Sequence, residues 1–213
     1  MKINKDVMTT GFNTIFSLLY KAHANKVLEM ARTVCPYISH FAITVKIDDQ
    51  AVNFSTSAEY MVQYSKRGIY KFDSLFQNEN NNCYLLPWYL NNETAAGRKA
   101  YLFKNNESGL HNGITYVIRS AGVELRCAAA TKLRSNECLE ALTAAHEGII
   151  ECAVAVYGVM RTPFSTHLKR ELPLIIYGPE LFNNLTIQQD FKRVELVLSL
   201  QQHIGKKSYY YFK

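Results

Sequence analysis

Glycine and proline are scarce in this chain, ten and five among 213 residues, and the glycines fall into none of the patterns that cradle phosphate. There is no G-x-G-x-x-G and no G-x-x-x-x-G-K-[ST], which excludes nucleotide binding through those loops. Cysteine is also sparse. Cys35, Cys83, Cys127, Cys138 and Cys152 are odd in number, widely spaced and free of any C-x-x-C, so neither a disulfide framework nor a zinc knuckle is indicated, and a reducing cytoplasm fits them best. The six histidines stand apart, and the one local grouping, His146 with Cys138 and Cys152, has spacings that do not converge on a metal. No cofactor and no metal are expected. The net charge of +6 is spread out, with no lysine or arginine block to track phosphates, so pairs such as Lys66-Arg67 and Lys206-Lys207 read as solvated surface. No apolar run approaches the length of a membrane span. The N-terminal "FNTIFSLLY" imitates a secretory signal, but Asn13, Thr14 and Ser17 dilute it, and Phe12, Ile15, Phe16, Leu19, Val27 and Met30 recur at helical spacing.

What is abundant is apolar and aromatic material: 48% of the residues are hydrophobic, with fourteen tyrosines and eleven phenylalanines, enough for one substantial core. After the first helix, which runs through residue 31, Pro36 opens a β-branched and aromatic strand over 35–47, and residues 51–57 form its antiparallel partner. Residues 58–70 return to helical spacing, 77–83 are a loop by composition, and Pro87 bends the chain before Trp88. A helix is expected over 93–104 with Ala95, Ala96, Ala100 and Phe103 inward. Residues 113–119 and 123–131 flank a short glycine-containing turn and read as a hairpin. One long helix is predicted over 136–160, capped by Ser135 or Asn136 and ended before Thr162-Pro163. A last helix is expected from about Ile187 to Ile204. Helices on a mainly antiparallel sheet make this an α+β fold.

The chemistry concentrates around "AEYMVQYSKRGIYKFDSLF", residues 58–76. Tyr60 and Tyr64 fall one turn apart on one helical face, and Trp88 and Tyr101 follow on later elements. Aromatics supply broad apolar walls with polar tips, which suits small-molecule pockets, although the same stripe also fills cores. Asp73 stands between Phe72 and Leu75. A carboxylate there is costly to bury unpaired, so it lies at the surface, caps a turn, or meets a specific donor such as a ligand N–H. No cysteine occupies a strand-turn-helix nucleophile setting, and an enzyme is not expected.

In order and spacing, Tyr60, Tyr64, Asp73, Trp88, Tyr101 and the segment "GLHNGITYVI" (109–118) resemble the autoinducer-binding domain of LuxR-type quorum-sensing transcriptional regulators, over roughly residues 15–165. The resemblance implies an α-β-α sandwich with a central five-stranded antiparallel sheet, and a ligand between the sheet and one helical layer. By position, Asp73 accepts the N–H of an acyl amide, Tyr60 takes the place of the family's usual tryptophan, and Tyr64 and Trp88 wall the head group with Leu75, Tyr101, Leu110 and Thr115. Leu125, Cys127 and Ala129 face an acyl tail. Two departures stand out: Thr56 where a tyrosine is common, and Ser74 where proline usually follows the aspartate. With Thr56 and Tyr60 both changed, the head-group site is not the standard lactone site, which leaves a different amide-bearing ligand, or none.

The expected organisation is a sensor domain over 1–170 and a C-terminal helical extension or linker over 171–213, in which nothing resembles the family's helix-turn-helix domain. The expected partner is a small acyl amide, acyl-homoserine-lactone-like or otherwise, and the C-terminal helix is a candidate homodimer interface. DNA is a partner only if a helix-turn-helix domain follows Lys213, and no membrane is expected. Two other readings stay open: a ligand-free, dimerising module that modulates another regulator, and a small amide or ester hydrolase with a cysteine nucleophile.

Overall fold

The computed structural model describes residues 21–48, 50–73, 83–120, 122–175 and 185–187. Helix α1 (Lys21–Val34) is the later part of the expected first helix, and the earlier part lies outside the described residues. The expected first hairpin forms from β1 (His40–Ile47) and β2 (Gln50–Ser55), in register from Ala42 opposite Ser55 to Ile47 opposite Gln50. Helix α2 (Ala58–Lys66) stops at Gly68, whose φ of 62° is a left-handed conformation that costs glycine little, and the chain tightens into a 3₁₀ turn at Ile69–Lys71.

The stretch around Pro87 proves to be a strand, β3 (Cys83–Pro87), with the proline as its last residue, where its missing N–H disturbs the ladder least. A 3₁₀ turn (Trp88–Glu93) leads into α3 (Ala95–Leu102), which Thr94 caps by accepting the Gly97 N–H at 2.9 Å. Of the four residues expected inward here, Ala100 and Phe103 are buried but Ala95 and Ala96 are exposed; the inward phase runs through Gly97, Ala100, Phe103 and Lys104. A π-helical turn, Phe103–Glu107, follows. Strands β4 (Asn112–Ser120) and β5 (Val123–Thr131) pair from end to end.

The helix expected over 136–160 is in fact two. Helix α4 (Asn136–Ala144), capped by Ser135 accepting the Glu137 N–H, breaks at Ala145, and α5 (His146–Leu168) continues through Pro163. The proline removes one N–H, and the carbonyl four residues earlier belongs to Val159, which is 69% exposed and open to water, so the ladder survives the loss.

The sheet order is β2-β1-β5-β4-β3-β6. The first five strands are antiparallel to their neighbours, and β6 (Leu185–Ile187) adds a short parallel strand against β3. Ile187, expected to open the last helix, lies in that strand, and 188–204 are outside the described residues. One face of the sheet carries Phe41, Ile43, Val45, Phe54, Ile114 and Tyr116 against α1, α4 and α5, forming the main core. The other face lies under α2, α3 and the turns around them, which completes the expected α-β-α sandwich. Among the described residues no single helix is long and apolar enough to cross a membrane. The bent pair of α4 and α5 meets that test only together, and its buried residues belong to the main core.

Candidate ligand cavity

The second face of the sheet is built in rows across the strands. His40, Ala130 and Gly113 form one; Ser55, Ala42, Ala128 and Thr115 the next; Asn53, Thr44, Arg126 and Val117 the third; Ala51, Lys46, Glu124 and Arg119 the last. The two alanines of the second row leave room that larger side chains would fill. Over them lies a cavity of about 60 Å³, walled from above by Tyr60, Met61, Tyr64, Asp73, Trp88 and Lys104. At ~15 Å³ per water-sized sphere this holds on the order of four waters, or a small polar group.

Asp73 follows the 3₁₀ turn that Ile69 and Tyr70 anchor in the core, and it is 3% exposed. Three side chains donate to its carboxylate: Tyr64 Oη to Oδ2 at 2.8 Å, Asn91 Nδ2 to Oδ1 at 3.0 Å, and Lys104 Nζ to Oδ2 at 2.5 Å. Burial alone would raise the Asp73 pKa, but the Lys104 ammonium and the donated hydrogen bonds outweigh it and hold the carboxyl below its ordinary value. Lys104 is pulled down by burial, with Asp73 opposing. Its Nζ also sits 4.4 Å from the centre of the Trp88 ring. Helical phase brings this lysine in: it lies one turn after buried Ala100 and two after buried Gly97.

Trp88 donates from Nε1 to Thr115 Oγ1 at 2.9 Å, and its indole covers Gly113. A Cβ on Gly113 would come within 2.5–2.8 Å of three ring atoms, so glycine here is a condition of the tryptophan's position. Gly113→Ala should therefore move the indole, cost about 1–3 kcal/mol of stability by overpacking, and change tryptophan fluorescence. Wild-type emission and stability in that variant would refute this.

Tyr60 stacks between its neighbours, with its ring 5.8 Å from Tyr64 and 4.8 Å from His40. Burial, and then the Asp73 charge, push both tyrosine hydroxyls upward. Burial and then Lys104 push His40 down to about 3, so its imidazole is neutral.

Of the residues singled out from sequence, Tyr60, Tyr64, Asp73, Trp88 and Thr115 meet at the cavity. Leu110 lies behind Trp88 in a small apolar cluster. The Thr56 hydroxyl accepts the Phe41 N–H at 2.9 Å and closes the first hairpin. The Tyr101 hydroxyl accepts from Asn105 at 3.0 Å, away from the cavity. Leu75 lies outside the described residues. Leu125, Cys127 and Ala129, expected along an acyl tail, are on the opposite face, in the main core. The β5 residues that reach the cavity are Arg126 and Ala128, because a shift of one residue along a strand exchanges the faces. The thiols of Cys35, Cys127, Cys138 and Cys152 are all pushed up by burial, the reverse of what a nucleophilic thiolate needs.

Sequence reasoning missed His40, Asn53, Arg126, Asn91 and Lys104. Strand alternation carried a signal for three of them: polar residues at every second position of β1, β2 and β5 mark a buried face that is not plain core.

Neither a protein-family model nor a curated protein matches this sequence. Among solved structures, the chain is similar to SdiA in complex with octanoyl-rac-glycerol, with a TM-score of 0.48 and 10% identity over 83% of this chain and 71% of that one.

Proposed function

We propose that this chain is the small-molecule sensor domain of a LuxR-type transcriptional regulator, with the ligand received between the sheet and the α2–α3 layer. The observation that carries this reading is the half-open cavity at Asp73, aromatic on its walls and holding buried polar atoms that no side chain of the protein satisfies. Tight hydrophobic packing gives no reason to bury such atoms, whereas a bound molecule does. An acyl amide suits the walls: its N–H would meet the Asp73 carboxylate, its carbonyl the Lys104 ammonium or the Thr115 hydroxyl, and Tyr60, Tyr64 and Trp88 would flank it. Thr56, turned into the hairpin, leaves the head group without the family's usual tyrosine, which favours an amide other than the standard lactone.

Melting the full chain against a panel of short acylated amides tests this, because a ligand that binds only the folded state raises the midpoint. At a hundredfold excess over Kd the gain is about 2.7 kcal/mol, a shift of several degrees. A flat response across the panel would refute the sensor reading. It would favour the second one, a ligand-free module that pairs with itself or with another regulator. That reading draws on the small volume of the cavity and on the Asp73–Lys104 pair already formed inside it.

A further inference from the structure

Two polar atoms at the cavity, Asn53 Oδ1 and His40 Nδ1, have no hydrogen-bond partner, and their residues are 3% and 1% exposed. They stand at opposite ends of it. His40 belongs to the first row of the sheet and Asn53 to the third, while Ala42 and Ala128 of the second row make the apolar floor between them. Two rows correspond to four residues along β1, about 13 Å between backbones before the side chains reach inward. The space is therefore a short slot, polar at each end and apolar in the middle.

The chemistry of the Asn53 end is specific. Asn53 Nδ2 donates to Thr44 Oγ1 at 2.6 Å, so the amide nitrogen is engaged and the oxygen remains as an acceptor. Arg126, the other polar member of that row, donates from Nε to Glu124 and only adds donors to this end. A carbonyl or an alkyl terminus would leave Asn53 Oδ1 unmatched, whereas a hydroxyl or N–H would complete it. In the middle row, Thr115 already accepts from Trp88, and its own hydroxyl proton is directed by whatever acceptor the ligand brings.

Resting on the sensor reading above, we propose that Asn53 is a specificity-determining residue for a second polar group on the ligand. The ligand carries an amide-type head at the His40–Trp88 end and, across a short span over Ala42 and Ala128, a hydroxyl or N–H that donates to Asn53. The selected class is thus a short bifunctional amide, in preference to a simple acyl amide.

The probes are 3-hydroxypropanamide and propanamide, short enough for a cavity of about 60 Å³, titrated calorimetrically into the full chain. The hydroxylated probe is expected to bind at least tenfold more tightly, since a site built to hydrogen-bond a group discriminates against its absence. In Asn53→Leu the preference should shrink to twofold or less, because the alkyl end of propanamide then leaves no buried acceptor unmatched. Equal binding of the two probes by the wild type, or a preference that survives in Asn53→Leu, overturns the proposal while leaving the sensor reading intact. Silence of both probes, together with a flat amide panel, overturns the sensor reading and this proposal with it. Melting of the unliganded variants gives a separate check. Removing an unmatched buried acceptor and its neighbour in Asn53→Leu/Thr44→Val should raise the midpoint. A lowered midpoint, or failure to fold, would show that Asn53 serves the fold and would overturn the assignment.

Discussion

Replacing Lys104 with alanine should cost about 3–5 kcal/mol of folding stability, the largest effect of any single side chain at the cavity, because it leaves the Asp73 carboxylate buried without its cation. Both partners are 4% exposed at the side chain, so water cannot take over. Coulomb attraction between two such groups does not by itself make the pair favourable, since taking both charges out of water is expensive. The cost appears when one partner is removed. A second variant, Asp73→Asn/Lys104→Met, removes both charges and should recover most of the loss. Urea unfolding of the three proteins measures this, and a cost under 1 kcal/mol for Lys104→Ala would mean that the ion pair is not formed in the folded protein. Acid titration adds an independent sign. Asp73 is held below its unfolded value, so its contribution is present above about pH 4 and is lost as pH falls through the folded value. In Lys104→Ala that loss should begin at higher pH.

The second large effect is a pH dependence set by His40. Its folded pKa of about 3 lies below the unfolded value of 6.5, so the unfolded chain binds a proton that the folded chain refuses. The stability that this residue contributes is complete above pH 6.5 and falls with acidification by up to ~1.4 kcal/mol per pH unit. Burial and then the positive charge of Lys104 disfavour the imidazolium, and the Tyr60 and Trp88 rings beside it do not offset them. His40→Phe should flatten the stability profile between pH 6.5 and 5, leaving the slope due to His111 and His146, whose pKa values are lowered mainly by burial. An unchanged slope would mean that His40 is protonated inside the folded protein.

How legible all this was depended on the range of the physics involved. Periodicity and turn chemistry are local, and they located β1, β2, β4, β5 and the start of α2 within a few residues. Breaks that depend on tertiary packing were not legible. Nothing in the composition around Ala145 marks the end of α4, and Pro163 reads as a stop unless Val159 is known to face water. β3 was hidden because its proline reads as a bend, whereas at the end of the strand, beyond the residues paired with β6, its missing N–H costs little. At the site, Asp73, Tyr64 and Trp88 stood out because their chemistry is conspicuous in its local setting. Lys104 did not, since a lysine near a helix end is ordinarily solvated, and only its phase with Gly97 and Ala100 marks it as inward. Choosing which residues of β5 face the cavity needed the strand register, and one step of register separates Cys127 from Arg126.

The row structure of the sheet has a consequence for how this protein can change over generations. Along β5, Val123, Leu125, Cys127 and Ala129 are committed to the main core and Arg126 and Ala128 to the cavity, so adjacent letters of the sequence answer to different selective demands. Exchanging Ala128 for a bulkier residue would shorten the slot, and enlarging it from Thr115 would lengthen the reach of a ligand, with no atom of the opposite layer replaced in either case. On the sensor reading proposed above, ligand preference can change through single substitutions at the uncharged positions Ala128 and Thr115 of the cavity floor, while the core on the opposite face is untouched.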